Sequence, residues 1–330
     1  MDNSPNMQAV QADDQGALQW SPWPVPSYGA QEVLVEVYAA GVNRADLAQR
    51  AGHYPPPPGA SPILGLEVAG RIVALGSEVT GWRLGDRVCA LLTGGGYAEK
   101  VAVPQGMLMP MLAQWSMVDA AAVPEVFLTA YLNMFREARL QAGESLLVHA
   151  GASGVGTAAI QLAKASGCQV YSTAGSAEKV AACRQLGADI AVNYKEESFR
   201  EVLEQHGQQV DVVLDMVGAP YFDDNLALLR TGGRVVILST LGGREVQLNL
   251  GALMAKRLQL TGSTLRGRPL QEKCSLVSEF MQQCWPQFTQ GVLRPVIDRS
   301  FPIAEVESAH AMMQGNENIG KLVLQLKEES

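Results

Sequence analysis

Cysteine is scarce in this chain, and the five present, Cys89, Cys168, Cys183, Cys274 and Cys284, lie far apart with no C-x-x-C pair. Such spacing argues against a disulfide scaffold and a structural zinc lobe, and points to a reducing, cytoplasmic setting. No stretch concentrates Lys and Arg, and with a net charge of −8 the chain is a poor candidate for holding a nucleic-acid backbone. The segment MDNSPNMQAVQADD has no basic stretch followed by an apolar core, so no secretion signal is read there. No membrane span is read either. Residues 145–163 carry no Asp, Glu, Lys or Arg, but Gly151, Gly154 and Gly156 interrupt them and Glu144 and Lys164 close them, whereas a spanning helix needs about 20 mostly apolar residues. The four histidines form no Ser/His/Asp or Cys/His constellation. His149 reads as a buried, hydrogen-bonded strand residue, His206 as the end of a polar helix, His310 as part of a surface helix, and His53 as a neighbour of Tyr54.

What is present is a change of texture along 330 residues, a length sufficient for two domains. Up to about residue 122, short alternating stretches (EVLVEVYAA, VAGRIVALG, DRVCALL, YAEKVAV) are separated by Pro and Gly, including PPPPG at 55–59. They predict a compact antiparallel β domain. From Pro124 the pattern turns helical. It then alternates: SLLVHA, QVYSTA, DIAVNY, VDVVLDMV, RVVILST and LQLTGST read as six strands, with helical segments such as SAEKVAACRQLGA and APYFDDNLALLRTGG between them. The fold class is therefore α/β, with a six-stranded, doubly wound parallel sheet covered by helices on both faces. The expected divisions are 1–122, 123–270 and a third segment, 271–330, whose helix near 272–289 precedes a return to the first domain.

The first strand of that sheet runs into HAGASGVGTAAIQLAK, where Gly154, Gly156 and Ala159 fit G-x-G-x-x-G/A. Glycine lets the backbone approach a pyrophosphate, whose charge meets the free amides and positive end of the following helix. Ser153, Gly154, Val155 and Gly156 are the expected pyrophosphate contacts. An NAD site carries Asp or Glu at the end of the second strand, about 20 residues beyond the glycines. Here Gly175 and Ser176 hold that place, and Lys179 follows one helical turn later. A hydroxyl and an ammonium suit a ribose 2′-phosphate, which a carboxylate would repel, so the expected cofactor is NADPH. Glu178 blunts the positive field, and the other reading of Lys179 is a solvated helix lysine. Leu241 and Gly242 follow the fifth strand at the carboxyl edge, where ligands of such sheets bind.

With GVNRADLAQRAGHYPPPPGASPILGLEVAGRIVALG, GDRVCALLTGGGYAEKVAVP, HAGASGVGTAAIQLAK and NENIGKLVLQL in order, the chain resembles the medium-chain dehydrogenase/reductase superfamily, in its zinc-independent quinone oxidoreductase branch. The resemblance implies a GroES-like catalytic domain, an inserted Rossmann nucleotide-binding domain, a substrate cleft between them, and a homodimer. The exposed edge strand LQLTGST would pair with its copy in that dimer. Zinc-dependent relatives carry a cysteine where this chain has Asn43 and a histidine where it has Leu66, so no metal is expected. Without a Lewis acid, the acceptors implied are those that take a hydride readily, quinones and enones.

Asn43 and Tyr54 match cleft positions of the family and are the expected catalytic donors to the developing oxygen charge. Tyr54 also counts among the cofactor contacts. A turn residue and an aromatic packed on prolines are their other readings. Asp46 matches a family position and reads as a buried cap or ion-pair residue. Thr129, placed at a helix start, resembles a nicotinamide contact or else caps the helix. Tyr194 resembles the tyrosine beside the 2′-phosphate, with core packing as the alternative. Asn318 and Lys321 look like cofactor contacts or a solvated loop. The leading function is NADPH:quinone reduction. An enone or enoyl-thioester reductase is the second reading, and a cofactor-binding redox sensor or accessory protein without turnover is the third.

Overall fold

The computed structural model describes residues 6–13 and 16–329, and by its contacts the chain divides into two compact units. Residues 1–5 of the segment read for a secretion signal, and Asp14, lie outside the described residues. The first unit comprises Met1–Leu128, Arg266–Thr289 and Pro295–Ser330; the second comprises Thr129–Leu265 and Gln290–Arg294.

The first unit begins with a two-stranded antiparallel ribbon, β1 (Asn6–Ala12) and β2 (Leu18–Pro24). Its main sheet is built from β3 (Glu32–Val42), β4 (Glu67–Leu75), β5 (Arg87–Leu91) and β6 (Lys100–Pro104), where the alternating stretches predict strands, and from the short β7 (Leu108–Pro110), which none of them covers. Between β3 and β4 runs the helix α1 (Arg44–Arg50); α2 (Met117–Ala121) and α3 (Pro124–Tyr131) follow β7. Alternation puts Val33, Val35 and Val37 of β3 in the core, each no more than 2% exposed.

The second unit carries β8 (Ser145–Val148), α4 (Gly154–Ala165), β9 (Gln169–Ala174), α5 (Ala177–Gln185), β10 (Ile190–Asn193), α6 (Phe199–Gln205), β11 (Val210–Asp215), α7 (Phe222–Leu228), β12 (Leu229–Ile237), α8 (Leu250–Lys256) and β13 (Gln259–Gly262). All six strands are parallel, in the order β10-β9-β8-β11-β12-β13. The order reverses between β8 and β11, and the carboxyl ends of strands at such a reversal are where ligands of these sheets bind. One element differs from expectation. The helical pattern read through Gly233 stops at Leu228, because Leu229 pairs with Val210 and β12 begins five residues earlier than RVVILST suggests, with a register shift between Val210 and Val212.

The chain then re-enters the first unit through α9 (Leu270–Gln283) and α10 (Trp285–Thr289), which occupy the helical stretch expected near 272–289. The strand β14 (Ile297–Pro302), the helix α11 (Val306–Gln314) and the strand β15 (Lys321–Gln325) complete it. The main sheet runs β14-β15-β3-β4-β5-β7, with β6 also on β3, so the last strand lies antiparallel to β3 and sets Leu322 opposite Val42. Among the described residues no helix is long and apolar enough to cross a membrane.

Candidate active site

In the second unit the glycine loop packs as its residue types require. Ser153 caps α4, its Oγ accepting from the Gly156 amide at 3.0 Å. The first two helical amides, those of Gly154 and Val155, are left to an anion or to water at the positive end of a twelve-residue helix. A Cβ on Gly156 would lie 2.3 Å from the Ala150 carbonyl oxygen, so a side chain there would force helix and loop apart. At the end of β9, a Cβ on Gly175 would lie 2.7 Å from the Tyr194 phenol oxygen. Tyr194 directly follows β10, is 45% exposed, and stands edge-on to Tyr221 with ring centroids 6.2 Å apart. Ser176 caps α5 by accepting from the Lys179 amide at 3.3 Å, which leaves its hydroxyl hydrogen to donate. Leu241 is 60% exposed in the turn after β12, and the Gly242 amide donates to the Val217 carbonyl after β11 at 2.8 Å.

Thr129 is not at a helix start: it is the sixth residue of α3, so it does not cap the helix. Its Oγ1 is buried without a hydrogen-bond partner. A buried hydroxyl left so is costly, and together with the α4 amides and the Gly175 floor it fits a nucleotide cofactor. His149 is fully buried as expected, 3.0 Å from Thr173 Oγ1 and 2.7 Å from Asn225 Oδ1.

In the first unit a buried ionic network joins β3, β4 and β15. The Lys321 ammonium is 2.6 Å from Glu67 Oε1 and donates also to the Val42 carbonyl and Asn43 Oδ1, each at 2.8 Å, which uses its three hydrogens. Asn43 Nδ2 donates to Glu67 Oε1 at 2.9 Å, and Glu67 Oε2 accepts from the Glu125 amide at 2.9 Å. Asn318 is buried with its amide on the Gly320 carbonyl. Asp46 is fully buried and accepts from the amides of Asn43 and Gly65 and from the Tyr97 hydroxyl. Burial pushes its carboxyl up to about 6 against these bonds. His310, expected on a surface, is 2% exposed with Nε2 3.3 Å from the Tyr97 hydroxyl, and burial lowers it to about 4.

Tyr54 is half-buried after α1. Burial and then the nearby Glu125 raise its phenol, while the Arg266 guanidinium, 5.4 Å from the ring centroid, opposes them. Glu67, Tyr97, Glu125 and Arg266 were not singled out from the sequence. For the acids the signal was available, a carboxylate inside the apolar strand GLEVAG and another opening the apolar helix PEVFLTAY.

Burial, and then the charge of Glu67, push the Glu125 carboxyl from 4.5 up to about 8. The folded protein therefore keeps a proton that the unfolded chain has lost across that interval, and stability falls as pH rises through it. Asp46 acts with the same sign, but only between 3.8 and about 6. Glu125→Gln is expected to flatten the loss of stability between about pH 6 and 8, read as denaturation midpoints across pH; an unchanged slope would contradict the shifted carboxyl.

Residues 29–113 match the alcohol dehydrogenase GroES-like domain, and residues 154–283 match the zinc-binding dehydrogenase family. The quinone oxidoreductase of Mus musculus is 32% identical, over 92% of this chain and 91% of its own. This chain belongs to the medium-chain dehydrogenase/reductase family. As a family member it is an oxidoreductase of the nicotinamide-dependent kind, with a GroES-like unit and a Rossmann unit. The quinone oxidoreductase of Thermus thermophilus, solved also as a complex with NADPH, is 34% identical, with a TM-score of 0.83 over 97% of this chain and 100% of its own. The CurK enoyl reductase is 28% identical, with a TM-score of 0.85 over 97% and 99%. Asn43 is bonded to Glu67 through its side-chain amide, and Leu66 is buried. Among the described residues no group of three or more His, Cys, Asp or Glu could hold a metal ion.

Proposed function

We propose that this oxidoreductase reduces quinones with NADPH and without a metal, in the cytoplasm. The observation that carries the proposal is the donor set of the first unit. The Arg266 guanidinium lies 5.4 Å from the Tyr54 ring centroid, and the phenol is raised by burial and by the charge of Glu125, whose own carboxyl is pushed up to about 8.

The nicotinamide, when bound, supplies the hydride. The α4 amides, Ser153 and the glycines would hold its pyrophosphate, Thr129 would accept or donate at the nicotinamide, and Tyr194, Ser176 and Lys179 would surround the 2′-phosphate, with Leu241 and Gly242 at the carboxyl edge of the sheet. Tyr54 gives a proton to the acceptor oxygen as charge develops there, so that quinone, hydride and proton together make hydroquinone. Asn43, Lys321 and Asn318 shape the first unit from within. The edge strand β13, paired among the described residues with β12 alone, would join two copies into a dimer.

The test follows absorbance of reduced cofactor at limiting concentration, with an ortho-quinone and a chelator. NADPH is expected to be consumed and NADH hardly so. Lys179→Ala should weaken NADPH by about 10-fold to 100-fold, the worth of one charge-assisted bond, and leave NADH unchanged. Equal use of both cofactors would remove Ser176 and Lys179 from the site, and stoichiometric metal in the purified protein would overturn the metal-free chemistry. The likeness to an enoyl reductase supports a second reading, reduction of an alkene conjugated to a carbonyl. That reading takes over if NADPH binds, quinones leave it unoxidised, and an enone consumes it.

A further inference from the structure

Tyr54 is followed by Pro55, Pro56, Pro57 and Pro58 and preceded by Gly52 at φ +75°. Prolines offer no N–H, so none of these four can donate a backbone bond to fix the stretch. On its upstream side the amides of His53 and Tyr54 both converge on the Ala48 carbonyl, at 2.8 and 3.2 Å. The Ala60 amide donates to the Pro57 carbonyl at 3.0 Å, and Tyr54 itself is held further by a residue 212 positions away. Arg266 is 4% exposed, and its guanidinium donates to the Tyr54 carbonyl at 3.3 Å, the Thr93 carbonyl at 2.8 Å and Gln49 Oε1 at 2.7 Å. All three acceptors are neutral. Lys273, 5% exposed, buttresses the arrangement by donating to Thr93 Oγ1 at 2.9 Å and to the Arg266 carbonyl at 3.2 Å. Two cations are thus buried on uncharged oxygens, an arrangement that costs stability. A guanidinium holds its donors in one rigid plane whose face can lie on a ring, whereas a lysine ammonium is a point charge on a flexible stem.

We infer that Arg266 is a positioning residue for the reaction: its guanidinium clamps the Tyr54 segment to α1 and the Thr93 loop and sets a fixed positive charge over the phenol ring. The inference rests on the reading of Tyr54 as proton donor. The charged groups around the phenol are Glu125 of α3, which raises it, and Arg266, which lowers it; Asp46 of α1 and Glu125 act in turn on Arg266. Removing the guanidinium therefore loosens the ring and moves the phenol upward together, whereas a lysine keeps the charge and loses the fork.

The experiment compares Arg266→Gln, Arg266→Lys, Tyr54→Phe and the double variant Tyr54→Phe/Arg266→Gln in NADPH-dependent reduction of an ortho-quinone across pH, alongside NADPH binding and amide exchange at Gly52, His53 and Tyr54. Arg266→Gln is expected to lower kcat by about 10-fold to 100-fold, the scale of misplacing a reacting group by about 1 Å. NADPH affinity should hold, the alkaline limb should move to higher pH, and the three amides should exchange faster. Arg266→Lys, which keeps a buried cation and so guards against simple unfolding, should lose part of kcat with the limb in place. The double variant should be no slower than Tyr54→Phe alone. Additive losses in the double variant, or unchanged amide exchange, would overturn the clamp. If Tyr54→Phe keeps full turnover, the proton-donor reading fails and this role with it; if Tyr54→Phe is slow while Arg266→Gln is normal, only the role of Arg266 fails.

Discussion

Replacing Lys321 with methionine is expected to lower the stability of the GroES-like unit by about 3–5 kcal/mol, the cost of breaking a buried ion pair from one side. Glu67 is fully buried and Lys321 is 2% exposed. Without the ammonium, the carboxylate keeps the Asn43 and Glu125 donors but no counter-charge at 2.6 Å. Two further acceptors, the Val42 carbonyl and Asn43 Oδ1, lose their partner at the same time. Lys321→Met/Glu67→Gln should recover much of the loss, because it removes the stranded charge and leaves an amide able to accept from Glu125. Chemical denaturation followed by tryptophan fluorescence reads this directly, since Trp20, Trp23, Trp82, Trp115 and Trp285 all belong to the affected unit. A single variant as stable as the parent would mean that the network contributes nothing net.

Tyr54→Phe is expected to slow NADPH-dependent quinone reduction by about 100-fold to 10,000-fold, the range of a well-placed general acid, with NADPH affinity nearly unchanged. The phenylalanine ring keeps the contact with Arg266, and the backbone bonds from Arg266 and to Ala48 do not involve the hydroxyl. Only the hydroxyl proposed as proton donor is lost. Substitutes are few, since the Asn43 amide is bonded to Glu67 and the Lys321 ammonium has three internal acceptors. Rapid-mixing measurements of cofactor absorbance separate the hydride step from product release, and full turnover in the variant would take the hydroxyl out of the mechanism.

Much of the second unit could be read in advance because its signals are local. Short β-branched runs separated by glycine-closed helices specify a parallel sheet, and G-x-G followed by a small residue specifies a helix lying close against the strand before it. Boundaries were less legible where pairing overrode pattern, as at Leu229, which continues a helical rhythm but is claimed by Val210. Position within an element could mislead as well: Thr129 looks like a cap in the string FLTAY and lies deep in α3, while His310 looks like a surface residue until Tyr97 is placed beside it.

By itself the sequence determined the α/β class, the six strands, the nucleotide loop and the lack of a carboxylate where β9 ends, because each depends on residues within a few positions of one another. The tertiary structure alone decided which polar side chains meet. Lys321 reaches Glu67 across 254 positions, and Arg266 reaches Tyr54 across 212. Those pairs exist only because β15 returns to lie along β3 and the chain re-enters the first unit at Arg266, and no local periodicity encodes such a return.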